Sequence, residues 1–369
     1  MNNFFSFCSE LAFHRFDIRI LAEQTTTFDA WPGAVLRNNL LYAAAQINIP
    51  EKGVTLFDYC NKQLPLSVSH PLYKEMENGF PPPFYLYPST VGRGNASYRL
   101  GKNEVFHFSL VLIGEFSGYI PYFIEAIRYM CRRGMGVDRR PFTLIDVREI
   151  SAGGEGRLLA SGDEYLSDYL SFPMNMADFE PAIARKVATV RIVYESPVSL
   201  IKKRKKTEKA GFQEKGNGFP SFYQLVRSAA FRMEKLTALY HSPDDIAGYL
   251  ASHEEVDDYV EEAATKVWLE AARLRQETHQ STRKEGADKR ILLTGYTGEV
   301  TFNGLYSKYF PLLRCIEQLG VGEKLSYGFG KIRVEANPAK NTNELLKKEY
   351  MSDKQIRIKN IQGYYDEKI

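Results

Sequence analysis

Twice along this chain of 369 residues the hydrophobic pattern changes period in the same order. In the first half a strand-like segment, His14–Ala22, precedes helical periodicity over Ala34–Gln46. An irregular stretch follows over 65–83, where Pro81-Pro82-Pro83 forbids regular structure. Strand candidates Phe84–Pro88 and Glu104–Ile113 come next, then a helix over Ile120–Arg133, a turn at Gly134 and Gly136, and a strand over Pro141–Ile150. The second half runs through a strand at Lys186–Ile201, a helix at Tyr223–Tyr240 and a helical insertion over Asp244–Gln276. A strand or hairpin at Ile291–Phe302, a helix at Leu305–Gln318 and a strand at Tyr327–Ala336 complete it. Each half reads β-α-β-β-α-β, which predicts an α+β protein of two tandem ferredoxin-like domains of RRM-like type, each with two helices on one face of a four-stranded antiparallel sheet. The expected divisions are an N-terminal domain with its connecting segment over 1–183, a C-terminal domain over 184–338 and a charged tail over 339–369. The halves share this pattern without residue-level identity.

Composition narrows the function classes. With 44% hydrophobic and 25% charged residues the chain can bury two cores. A net charge of +3 does not identify a nucleic-acid partner; the distribution of charge must do that. Four cysteines, Cys8, Cys60, Cys131 and Cys315, lie far apart, and six histidines are equally scattered, so neither metal nor cofactor is expected. No run approaches the roughly 20 apolar residues that span a bilayer, and Met1–Glu10 has no basic region of the signal-peptide kind. A cytoplasmic protein with reduced thiols and no membrane contact is the expectation.

The strongest local signal is GVGEKLSYGFG, Gly320–Gly330, followed directly by Lys331. Gly320, Gly322, Gly328 and Gly330 permit close backbone approach, and free amides in such a turn suit phosphate oxygens. Lys324 and Lys331 would add charge and Tyr327 a stacking face. The order is not that of a Walker loop, and a tight helix-to-strand connection is the plainer alternative. Lys202, Lys203, Arg204, Lys205 and Lys206 form the densest cationic run, a phosphate anchor or simply a solvated loop. Arg132, Arg133, Arg139 and Arg140 frame the first-domain turn and offer a second such patch. His279 lies in RLRQETHQSTRK, where Arg275, Arg283 and Lys284 would suit acid–base work on a phosphodiester; a histidine at a solvated helix end is the alternative. His107 reads as a packed core residue, His241 as a helix cap and His14 as structural, while the acids of 244–262 read as a solvated face.

The segment PLLRCIEQLGVGEKLSYGFGKIRV resembles the C-terminal signature of the RAMP superfamily, and more narrowly the CRISPR precursor-RNA processing endoribonucleases. VRIVYESPVSL at Val190–Leu200 and GYTGEVTF at Gly295–Phe302 occur in the expected order, and the resemblance extends from about Phe84 to Val334. It implies RNA as partner, with other CRISPR effector or adaptation proteins as further candidates. The implied reaction is metal-independent cleavage of CRISPR repeat RNA, the 2′-hydroxyl attacking the adjacent phosphate to leave a 2′,3′-cyclic phosphate. A non-catalytic RAMP subunit that holds guide or repeat RNA shares the same features, and so remains open. In better-known members a catalytic histidine lies around the first helix; Ala34–Gln46 has none. Arg37 is the RNA-contact candidate there, and Tyr42 and Lys52 join His279 as catalytic candidates.

Overall fold

The computed structural model describes residues 3–28, 31–61, 66–77, 79–89, 98–167, 170–179, 187–200, 220–281, 292–304 and 307–338. A short helix α1 (Asn3–Ser9) leads into β1 (Phe13–Ala22), α2 (Pro32–Ala44), β2 (Phe84–Pro88), β3 (Val105–Ile113), α3 (Ile120–Arg133) and β4 (Phe142–Ile150). A hairpin of β5 (Gly156–Ser161) and β6 (Glu164–Tyr165) extends the sheet, whose order is β6-β5-β4-β1-β3-β2. The alternation in β1 decides its faces: Phe16, Ile18 and Ile20 are buried, while Arg15, Asp17 and Arg19 point the other way. Helix α3 starts and stops as its sequence requires. Pro121 sits in its first turn, Arg132 and Arg133 meet the carbonyl end of the helix dipole, and Gly134 follows at positive φ.

The second unit is β7 (Val187–Val198), α4 (Phe222–Tyr240), α5 (Ile246–Lys266), β8 (Val267–Gln280), β9 (Leu292–Gly304), α6 (Phe310–Leu319) and β10 (Ile332–Pro338), with sheet order β8-β9-β7-β10. The first unit's strands β4-β1-β3-β2 follow the same topology, so both are ferredoxin-like. Ser221 opens α4 with a reciprocal capping box to Gln224. The expected helical insertion over Asp244–Gln276 needs correction: helix ends at Lys266, and 267–280 is a strand antiparallel to β9 from Val267↔Gly304 to Gln280↔Leu292. Ala, Glu, Arg and Gln favour helix there, but pairing with a neighbouring strand outweighs that local preference.

The units meet at several places among the described residues. Tyr87 donates to the Leu319 carbonyl at 2.6 Å, and Arg232 donates to the same oxygen at 3.2 Å while lying 4.4 Å from the Tyr85 ring centre. On the other side, α1 packs on α5 through Phe4 against Tyr259 at 5.0 Å. All four cysteines are buried free thiols. Among the described residues no helix is long and apolar enough to cross a membrane, and no group of three or more His, Cys, Asp or Glu could hold a metal ion.

Candidate functional site

Three elements converge where the N-terminus of α2 meets the glycine turn. Trp31, just before α2, donates its indole N–H to the Tyr327 carbonyl at 2.7 Å and its amide to the Gln280 carbonyl at 3.0 Å. Gly33 lies so close that a Cβ there would collide with the same Tyr327 carbonyl. From the next turn of α2, Arg37 places its guanidinium 5.1 Å from the centre of the Tyr327 ring. Such a cation–π contact contributes about 0.5–1 kcal/mol where it is partly solvated. Its larger consequence is to set a cation and an aromatic face together on the seam between the units.

His279 arrives from β8. Its ring lies 4.6 Å from Trp31 and 6.2 Å, edge to face, from Phe329. Trp31, Ala34, Leu293 and Phe329 form a small apolar cluster at this point, with Tyr327 at its margin. His279 is 8% exposed on a strand, wedged between rings, so the alternative of a solvated helix end does not hold. Its Nε2 lies 3.0 Å from Glu277 Oε2. Arg275 does reach this site, but its partner is Glu277, to which its Nε donates at 3.1 Å. Thr297 donates to the same carboxylate at 2.8 Å. Burial opposes ionisation of Glu277, yet the hydrogen bonds from Arg275, Thr297 and His279 outweigh it and hold the carboxyl below its ordinary value.

The glycine turn differs from the open amide cradle its sequence suggested. Val321 N donates to Gly330 O at 3.0 Å, Glu323 N to Ser199 O at 2.7 Å, Gly330 N to Pro197 O at 2.9 Å and Lys331 N to Ser196 Oγ at 2.9 Å; the amides of Gly320, Tyr327 and Gly328 are likewise bonded within the protein. Gly320, Gly328 and Gly330 are buried and Gly322 half-buried. Gly328, at φ +76°, leaves a Cβ no room against Leu86 O and Pro88. Gly320 and Gly328 therefore serve contact between the two units, Gly322 and Gly330 serve close packing within the second, and the buried amides must find partners there. Lys331 needs correction too. Its ammonium donates to Glu317 O at 2.6 Å between the units, where burial, and then the charge of Arg15, push it down to about 8. What the turn presents at the seam is half-buried Lys324, whose Nζ donates to Thr294 O at 3.2 Å, with Ser326 and Tyr327.

Other candidates lie elsewhere. Tyr42 is five residues from Arg37, about 140° around the helix, and stacks with Arg133 at 3.7 Å rather than on the seam. Lys52 sits over Tyr59 and Tyr119, and Tyr119, with Glu115 and Glu51, keeps its ammonium charged, contrary to a role as base. His107, expected in the core, is exposed on the sheet face; His14 pairs with buried Glu149 at 2.8 Å, and His241 caps α4. Lys202, Lys203, Arg204, Lys205, Lys206, Arg283 and Lys284 lie outside the described residues. Sequence reasoning missed Trp31, Gly33, Glu277, Thr297 and Phe329 as parts of the site. A strand reading of 275–280 would have found Glu277, because i and i+2 then share a face.

Comparison with known proteins places both units. Residues 11–169 match a family model described as an N-terminal domain, and residues 192–332 match that of the CRISPR-associated endoribonuclease Cas6. Among solved structures the chain is similar to a Thermus thermophilus Cas6 in a product complex, at 14% identity and TM-score 0.50 over 88% of this chain and 100% of that one. It is also similar to a partial Cas6-RT-Cas1–Cas2 complex, at 11% identity and TM-score 0.50 over 89% of this chain and 46% of that one. At these identities the likeness is one of fold. No curated protein matches.

Proposed function

We infer, for a chain whose residues 192–332 match the family model of the CRISPR-associated endoribonuclease Cas6, that the seam between its units cleaves CRISPR repeat RNA without a metal ion. The observation that carries this reading is the convergence of Arg37, Tyr327 and His279 around Trp31, with Lys324, three residues before Tyr327, bonded to the Thr294 carbonyl of β9. Transesterification by a neighbouring 2′-hydroxyl requires a proton acceptor at that hydroxyl, a donor at the departing oxygen and cations for the developing charge. His279 takes the 2′-hydroxyl proton as the O2′–P bond forms. The P–O5′ bond breaks and the 5′-oxygen takes a proton from the Lys324 ammonium; solvent then restores both groups. Arg37 compensates phosphate charge, and the Tyr327 ring offers a face to a base next to the scissile bond.

RNA is the partner of this reading. The complexes of similar fold make CRISPR adaptation proteins the next class to test as partners. The proposed step calls for no metal ion, since three side chains, His279, Lys324 and Arg37, supply every proton and charge it needs.

Incubation of end-labelled repeat RNA with the protein in EDTA tests the function. Cleavage at one position, leaving a 2′,3′-cyclic phosphate, is expected, with His279→Ala at least about tenfold slower at unchanged RNA affinity. Binding without cleavage in any buffer would favour the non-catalytic RAMP subunit. A cut that needs a divalent ion would overturn the mechanism.

A further inference from the structure

Glu277 has no part in the step just described, yet it is the most heavily hydrogen-bonded carboxylate at the seam. It accepts from His279 on the same face of β8, from Arg275 two residues before it, and from Thr297 on β9. Carboxylate and imidazole are both nearly buried, at 10% and 8% side-chain exposure. Trp31 and Phe329 wall the ring on two sides, so the imidazole is oriented by packing as well as by its hydrogen bond.

We propose that Glu277 is the positioning residue of His279, fixing the imidazole as the Nε2–H tautomer so that Nδ1 carries the lone pair offered to RNA. The inference rests on the cleavage reading for its use, and on geometry alone for its chemistry. An ionised carboxylate has only acceptor oxygens, so the nitrogen 3.0 Å away must carry the hydrogen. In neutral imidazole the other nitrogen then holds the lone pair. Arg275 and Thr297 complete the device by keeping the carboxylate ionised and immobile, so that it does not turn to donate. When Nδ1 takes the 2′-hydroxyl proton, the imidazolium forms against a negative charge already in place, and no group has to move. The same logic operates where an aspartate holds the histidine of serine proteases, and there the amide replacement turns the ring to the wrong tautomer.

The surroundings are consistent with this assignment. Charged or titratable groups on the elements packed around His279 are Glu270, Arg273, Arg275 and Glu277 on its own strand, Tyr296 and Glu299 on β9, Glu323, Lys324 and Tyr327 in the glycine turn, and Arg37 and Tyr42 on α2. Of these, Glu277 makes the hydrogen bond to the ring.

Two measurements on the full chain test the proposal. Nitrogen-15 spectra of histidine-labelled protein, with the His279 signals assigned by their loss in His279→Ala, are expected to show the Nε2–H tautomer. The Nδ1–H form would overturn the proposal without any variant at Glu277. Glu277→Gln keeps the shape but can donate from its amide. It is expected to shift His279 to the Nδ1–H form and lower single-turnover kcat about a hundredfold, with RNA affinity unchanged. Thr297→Val, which only loosens the carboxylate, should move both readouts less and in the same direction. Wild-type kcat in Glu277→Gln would overturn the positioning role even if His279→Ala is inactive. Wild-type cleavage by His279→Ala would instead remove His279 from the proton transfer, while the tautomer spectrum would still decide what Glu277 does to the ring.

Discussion

Lys331 follows the glycine turn directly in sequence, where a lysine invites assignment as a phosphate anchor. Its amine lies instead against Tyr87 and the Glu317 carbonyl, held down to about 8 against an ordinary 10.5. Between those two values the unfolded chain binds a proton that the folded chain does not, so this residue makes stability rise with pH across the window. Wild type should therefore gain stability relative to Lys331→Met between about pH 7.5 and pH 10, as read by urea midpoints. Parallel pH profiles would show that the amine is solvated. Spacing could identify the residue types of the turn, but not which of its two lysines points into the seam between the units. Only Lys324, on the side of Arg37 and His279, remains a ligand candidate.

At the scale of elements, all six elements expected in the first unit coincide with the structure to within about two residues at each end, and β2 and α3 coincide at both. Apolar periodicity, proline and glycine punctuation and a charged last turn act within the segment itself, so they are legible from it. Strand β8 was not, because its stability comes from β9 and from no local preference of VWLEAARLRQETHQ. That misreading hid part of the site, since on a helix Glu277 and His279 would point about 200° apart. The entry to α2 carries the counterpart: Trp31-Pro32-Gly33 reads as a helix start, and its contact with Tyr327 depends on a partner roughly 300 residues away. Gly33→Ala would force α2 off the turn. It should cost about 1–3 kcal/mol of stability and slow cleavage at least about tenfold, while each unit keeps its secondary structure. Full activity with an unchanged Tm would show that the seam tolerates displacement.

Across the whole molecule, the sheet faces turned away from the helices carry cations already matched to carboxylates. Arg15 pairs with Asp17 at 3.0 Å, Arg148 with Asp146 at 3.3 Å, Arg191 with Glu335 at 3.1 Å and Arg333 with Glu195 at 2.9 Å; Arg19 pairs with Asp146. A phosphate there would have to displace an anion at each step, so the faces that RRM-like sheets often offer to RNA are poor platforms here. The seam is different, with Arg37 set over an aromatic ring and Lys324 bonded to a carbonyl. The basic run Lys202–Lys206, outside the described residues, adds charge shortly after the end of β7 in sequence. Replacing its five cations by alanine should weaken all RNAs alike and flatten the dependence of affinity on salt. Unaltered affinity and slope would leave the run without a role in binding.

The route of the RNA is the claim on which the rest depends. A repeat RNA made uncleavable by a single 2′-deoxy substitution, with a photoreactive base beside the scissile phosphate, reports it when crosslinked peptides are mapped by mass spectrometry. Crosslinks are expected in Trp31–Arg37, His279 and Lys324–Gly330. Crosslinks confined to β1, β4 or β10, on the salt-bridged sheet faces, would contradict the seam as the place where RNA is cut.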